Sequence, residues 1–195
     1  MSRLRSYAPS FVKKLVWDRK HRTRPIHAES CPADVVEALG NMGPDSVILD
    51  LGCGAGNLRA ALRLRGWRGH YIGVDVSATA IETARSAGDE SAEWYVSPIE
   101  DFPLSGRSID AICFCESIYY VRPGAVPDLL CRCCSTLAQS DSRILVRIWH
   151  TDRHLEYVEM LSRLTETDQP PLYAVGRLVP YQSFCCREPC PRITK

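Results

Sequence analysis

Apolar residues follow two alternating rhythms along this chain. Short, nearly continuous runs predict buried strands at 46–52 (SVILDLG), 70–76 (HYIGVDV), 92–97 (AEWYVS), 109–117 (IDAICFCES) and 143–149 (RILVRIW). Between them, apolar residues recur with helical spacing. The segment 57–66 predicts a helix with Leu58, Ala61, Leu62 and Leu64 inward and Gly66 as its stop. A second helix at 77–88 has Ser77 as N-cap and Gly88 past its end. A third, at 125–138, carries proline in its first turn. A fourth, at 152–164, gathers Leu155, Val158, Leu161 and Leu164 on one side.

Strand and helix alternate, and several strands are apolar on both faces. That pattern predicts a doubly wound α/β fold, a mostly parallel sheet with helices on both faces and right-handed crossovers. Ahead of it, residues 1–45 hold a basic segment and one short helix introduced by Pro32. The core spans 46–165. Residues 166–195 are proline-rich and short, and suggest a closing hairpin of LYAVGRLV and QSFCCRE around Pro180. No repeat, low-complexity tract or boundary divides the chain, so a single domain of 1–195 is expected.

Composition narrows the class. With 195 residues, 45% hydrophobic and 24% charged, the chain can bury a sizeable core. No apolar run approaches membrane-spanning length, and the N-terminus lacks a signal-peptide pattern, so a cytoplasmic protein without membrane partner is expected. A net charge of +1 gives no molecule-wide nucleic-acid footprint. Arg3, Arg5, Lys13, Lys14, Arg19, Lys20, Arg22 and Arg24 nevertheless face only Asp18 before residue 25. Such an arm suits an anionic substrate or RNA, and equally a solvated helix. The ten cysteines include a C-x-x-C spacing at Cys131 and Cys134, with Cys186 and Cys190 near the end. A zinc site is conceivable, but the apolar helical pattern around Cys131 reads them as small core residues, and no metal is expected.

The candidate chemistry lies in VILDLGCGAGN. Gly52, Gly54 and Gly56 alternate between a strand and a helix, where ligands collect in open α/β sheets and backbone must approach them closely. A dinucleotide fingerprint, counted from Gly52, would place its third glycine at Asn57, which argues against nicotinamide chemistry. The chain reads D-x-G-x-G-x-G from Asp50, and a second acid, Asp75, ends the next strand with spacing suited to grip ribose hydroxyls, a role that would equally serve NAD.

These stretches, with YIGVDVSATAIETAR, YVSPIEDFPL, RSIDAICFCESIYYV and RILVRIW, resemble the class I S-adenosylmethionine-dependent methyltransferases of small-molecule type. The resemblance implies S-adenosylmethionine as cofactor and 46–165 as the cofactor-binding core. Asp50 and the backbone of Gly52, Cys53, Gly54 and Gly56 would surround the methionine portion. Asp75 would hold the ribose and Val76 would lie against adenine. Ile99 would offer a backbone N–H to the adenine edge, and Cys115 would lie beside the methionine moiety. Many members carry an aspartate where this chain has Pro98, so either Glu100 or Asp101 would substitute or the contact would be absent. The implied reaction is methyl transfer to nitrogen or oxygen of a small molecule. RNA or protein methylation, and a non-catalytic S-adenosylmethionine-binding partner protein, are the alternatives.

Methyl transfer from a sulfonium mainly needs alignment, and a base only where the acceptor must lose a proton. Glu116, after the fourth strand, is the candidate base; a helix-start carboxylate is the alternative reading. Tyr119 and Tyr120 follow it, as substrate contacts or as half-buried packing. Tyr7 and Trp17 could close over the cofactor, and Trp149, His150 and His154 could line the acceptor pocket.

Overall fold

The computed structural model describes residues 6–23, 31–138, 142–148, 151–163, 167–169 and 172–176. Its helices are α1 (Ser10–Thr23), α2 (Ala33–Gly40), α3 (Asn57–Leu64), α4 (Ala78–Arg85), α5 (Val126–Cys134) and α6 (Leu155–Ser162). Its strands are β1 (Val47–Leu51), β2 (His70–Asp75), β3 (Ala92–Val96), β4 (Ala111–Cys115), β5 (Arg143–Arg147), β6 (Thr167–Gln169) and β7 (Leu172–Gly176). They form one seven-stranded sheet in the order β3-β2-β1-β4-β5-β7-β6. The first five strands pair in parallel, and β7 pairs antiparallel with both β5 and β6.

Strand order reverses between β1 and β4, which opens a crevice beyond their carboxyl ends. Ser117 bridges this point by donating a hydrogen bond from its hydroxyl to the Leu51 carbonyl. Two apolar clusters cover the faces of the sheet. Leu49, Phe114, Ile144 and Leu130 belong to one, and Ile48, Tyr71, Leu62 and Leu145 to the other. Neighbouring strand residues thus alternate between clusters, so both faces are buried.

Local chemistry fixes several boundaries. The Ser77 side chain accepts from the Ala80 N–H at 3.2 Å, capping α4. Gly66 and Gly88, with φ of +91° and +64°, follow α3 and α4 in a conformation that favours glycine. Two predicted helix faces need correction. Leu64 is 90% exposed, because it lies two residues past Leu62 and so faces away from the Leu58–Leu62 side. In α6 the buried residues are Tyr157 and Leu161, whereas Leu155 is 59% exposed; an i, i+4 pair meets the core there. The segment 172–176 does form a hairpin strand, but with 167–169 ahead of it. QSFCCRE, Leu164, Trp149 and His150 lie outside the described residues.

Candidate functional site

A cavity of about 690 Å³ opens at the crevice between β1 and β4, within the range of roughly 300–1,000 Å³ common for small-molecule sites. Of the residues singled out in the sequence, it brings together Asp50, Gly52, Cys53, Gly54, Asp75, Val76, Ile99, Glu100, Cys115 and Glu116. Gly56 and Tyr119 are not among its lining residues. Gly56 has φ of +84°, and a Cβ there would come within 2.6 Å of the Trp94 ring, so its place is in packing beneath the loop.

Glycine is required at 52 for two reasons. Its φ is +93°, and an added Cβ would meet the Ser117 Cβ at 2.3 Å. At Gly54 (φ +53°) the nearest atom would be His21 Cε1 at 3.7 Å, so the strain there is conformational alone. The Gly54 N–H donates to Asp75 Oδ2 at 2.9 Å, and the Ser77 N–H donates to Oδ1 at 2.8 Å. Asp75 therefore ties the glycine loop to the start of α4.

Asp50 is 2% exposed. Its Oδ2 accepts the Tyr71 hydroxyl at 2.5 Å, whereas Oδ1 is buried without a hydrogen-bond partner. Burial pushes the Asp50 carboxyl up to about 7; the Tyr71 bond opposes this, and the nearby Asp75 charge adds to it. Burial likewise raises Asp75, opposed by the two backbone N–H groups and by His21. Two confined carboxylates, one with an unused oxygen, make the cavity floor receptive to a cation.

Glu116 has φ of +59°, the sole positive value outside glycine among the described residues. This turns its side chain toward Arg147. The Arg147 guanidinium binds Glu116 Oε1 through Nη1 and Asp34 through Nε, 3.0 Å from each carboxylate oxygen. Tyr119 donates to Glu116 Oε2 at 3.0 Å, and its ring stacks on His154 with centroids 4.0 Å apart. Burial, helped by the neighbouring Tyr120 and Glu116, raises the Tyr119 phenol well above its ordinary value. Glu116 thus reaches the cavity as an ion-paired carboxylate, while Tyr119 and His154 stand behind it.

The N-terminal helix, from which the sequence reading takes Trp17 as a cover over the cofactor, supplies a whole wall. Lys13, Trp17, Lys20, His21 and Thr23 of α1 line the cavity, and Cys31 and Pro32 continue that wall. Trp17 meets the Tyr120 ring edge-on at 5.1 Å. Lys13 donates to the Tyr120 carbonyl at 2.8 Å and to Glu100 Oε1 at 3.1 Å. Glu100 is thereby committed to Lys13, and Asp101 is exposed and does not line the cavity. Tyr7, at 64% exposure, does not line it either. The signal for this wall lay in the aromatic Trp17 and the lone acid Asp18 inside a basic helix.

Residues 48–140 match the family model described as a methyltransferase domain. The matched segment carries the glycine loop, Asp75, Cys115 and Glu116. No curated protein matches the chain. Among solved structures, it is similar to a chain of the complex between the Haloferax volcanii Trm112 methyltransferase activator and a methyltransferase, at TM-score 0.59 and 21% identity, covering 75% of this chain and 66% of that one. It is also similar to magnesium protoporphyrin IX methyltransferase from Synechocystis PCC 6803 with bound SAM, at 0.58 and 12%, covering 80% and 86%. Geranyl diphosphate methyltransferase in complex with GPP and sinefungin matches at 0.50 and 25%, covering 65% and 45%. The chain thus spans just under two thirds of the first relative and less than half of the last. Among the described residues, no helix is long and apolar enough to cross a membrane.

Proposed function

We propose that this chain binds S-adenosylmethionine in the cavity and transfers its methyl group to a nitrogen or oxygen of a small molecule. The observation that carries the reading is the buried, partnerless Asp50 Oδ1 beside the Gly52–Gly54 cradle. An unsatisfied buried acceptor costs about 1–3 kcal/mol, and a cationic ligand removes that cost. The group supplies, when bound, an electrophilic methyl on a sulfonium.

The residues divide the work of holding it. Asp50 faces the positively charged amino-acid portion, and the backbone of Gly52, Cys53 and Gly54 lies close to it. Asp75 keeps lone pairs free beyond its two backbone bonds, enough to accept from ribose hydroxyls. Val76 and Ile99 flank the adenine, and Cys115 sits at the methionine end. Glu116, fixed by Arg147, orients the acceptor, with Tyr119 holding Glu116 from behind. Alignment of this kind contributes up to about 7–11 kcal/mol in favourable cases.

A small acceptor is favoured over RNA because the basic helix is turned to structural use. Lys13 is bound to Glu100 and Tyr120, Lys14 pairs with Asp18 at 2.8 Å, and Lys20 lies 4.0 Å over the Trp17 ring. The test is an assay with methyl-labelled S-adenosylmethionine against a fractionated metabolite extract and, separately, total RNA. Label in the metabolite fraction is expected. Label confined to RNA, or cofactor binding with no transfer, would overturn the acceptor assignment.

A further inference from the structure

Helix α1 presents two faces. Lys13, Trp17, Lys20 and His21, spaced i, i+4, i+7 and i+8, line the cavity. Phe11, Leu15, Arg19 and Arg22, spaced i, i+4, i+8 and i+11, are exposed on another side and do not line it. Phe11 is 66% exposed and Leu15 63%. Seven large apolar side chains are exposed among the described residues, and four of them, Tyr7, Phe11, Leu15 and Val16, fall between positions 7 and 16. Single exposed apolar residues are ordinary; four on one short segment mark an interaction surface.

The same segment concentrates charge. Eight lysines and arginines precede residue 25 against the single acid Asp18, in a chain whose net charge is +1. Asp18 is buried and bound to Ser77 and Lys14. The outward charge of α1 is therefore that of Arg19, Arg22 and the half-exposed Lys14, all positive. Polarity is divided along the axis: Phe11, Leu15 and Val16 belong to the first turns, and Lys20, His21 and Arg22 to the last.

We propose that the outer face of α1 lies on an anionic lipid bilayer, with Tyr7, Phe11, Leu15 and Val16 dipping into the acyl boundary and Arg19 and Arg22 among the headgroups. This stands apart from the cofactor reading, because none of these six residues lines the cavity.

Charge and apolarity together select the occupant. The stretch 177–195 of this chain is itself basic, with Arg177, Arg187, Arg192 and Lys195 against Glu188, and does not complement Arg19 and Arg22. A second copy laid on the same face sets arginine against arginine when parallel, and arginine against Phe11 and Leu15 when antiparallel. RNA matches the charge but gives the apolar residues no burial. A bilayer interface offers anionic groups and an apolar layer side by side, as the lengthwise division requires. Insertion of a few side chains is marginal by itself, and each cation near an anionic surface strengthens attachment roughly fivefold. The expectation of no membrane partner rests on the lack of a spanning run; a helix lying in the interface needs none.

The experiment co-sediments the full chain with vesicles of phosphatidylcholine alone, and of phosphatidylcholine and phosphatidylglycerol at three to one, in low and high salt. The expected result is attachment to the mixed vesicles roughly fivefold or more above the neutral ones, weakening as salt rises. Phe11→Ser/Leu15→Ser should lose roughly tenfold or more, and Arg19→Gln/Arg22→Gln should lose the preference for phosphatidylglycerol. All four side chains are exposed, so both variants should melt as the wild type does. No sedimentation with either vesicle, equal sedimentation with both, or unchanged attachment of Phe11→Ser/Leu15→Ser would overturn the proposal. So would a dimer in analytical ultracentrifugation that the same variant dissolves, or retention on immobilised total RNA without attachment to vesicles.

Discussion

Asp18 of α1 accepts a 2.6 Å hydrogen bond from the hydroxyl of Ser77, the N-cap of α4. The Thr79 N–H donates to the same carboxylate oxygen at 3.2 Å, and Lys14 binds the other oxygen at 2.8 Å. One buried acid thus fastens the N-terminal helix to the helix that follows Asp75. This fastening is what makes α1 a cavity wall instead of a solvated arm.

Burial opposes ionisation of Asp18, but the bonds from Lys14, Ser77 and Thr79 prevail and lower its carboxyl to about 2. A depressed value means that the stabilisation is present above the ordinary carboxylate range and is lost as pH falls from about 4 toward 2. Asp18→Asn should cost roughly 1–2 kcal/mol at neutral pH. It should also flatten the acid limb of the stability curve. Urea titrations across pH check this; identical acid limbs in the two proteins would contradict the role.

Gly52→Ala and Gly54→Ala separate the two functions of the loop. The first forces a Cβ into Ser117 as well as an unfavourable φ, and should cost about 2 kcal/mol or more. The second meets only an ordinary contact with His21 at 3.7 Å and should cost about 1 kcal/mol from backbone strain alone. Thermal denaturation of both variants tests the order; equal losses would mean that the close approach at 52 relaxes freely.

Tyr71 is fully buried, and its hydroxyl is the hydrogen-bond donor to Asp50. Tyr71→Phe leaves both Asp50 oxygens without that support and should destabilise the fold by about 1–3 kcal/mol. Removal of the bond also pushes the Asp50 carboxyl further above its present position near 7. Asp50 is protonated below that point and anionic above it, so a cationic nucleoside should bind more tightly as pH rises from about 6 to 8. Tyr71→Phe should shift this rise to higher pH. Calorimetry in buffers of different ionisation enthalpy would detect the accompanying proton release from Asp50; a pH-independent affinity would contradict the assignment.

The Glu116 carboxylate is shared by Arg147 and Tyr119. Glu116→Gln keeps the shape but removes one of the two charges balancing the buried guanidinium. It should lower stability by about 1–2 kcal/mol, less than the loss of a fully buried pair, since Asp34 remains. Restoration of the melting temperature by Arg147→Met in the Glu116→Gln background would confirm that the defect is the stranded charge.

The parallel sheet, its helices and the glycine loop were legible in the sequence because each rests on local rules. Apolar runs mark β1 to β5, Ser77 caps α4, and the alternating glycines mark a close approach. What was illegible depends on distant partners. Nothing near Gly56 in the sequence announces Trp94, and nothing near Glu116 announces Arg147 or Asp34. The inward side of α1 was equally hidden, because its apolar residues show no single face until Asp18 finds Ser77. The sequence placed Tyr119 among the cavity residues by proximity to Glu116; the short turn after β4 instead sends Tyr120 to the cavity and Tyr119 against His154.

The central claim is that Asp75 and the Asp50–Gly54 loop hold an S-adenosyl nucleoside. Titration of S-adenosylhomocysteine into the wild-type chain and into Asp75→Asn, with folding checked by circular dichroism, tests it directly. The amide keeps one acceptor for the loop but loses the charged grip on the sugar, so a loss of about 1.5–3 kcal/mol, or roughly ten- to a hundredfold in affinity, is predicted. Equal binding by the two folded proteins, or no binding by the wild type, would contradict the account.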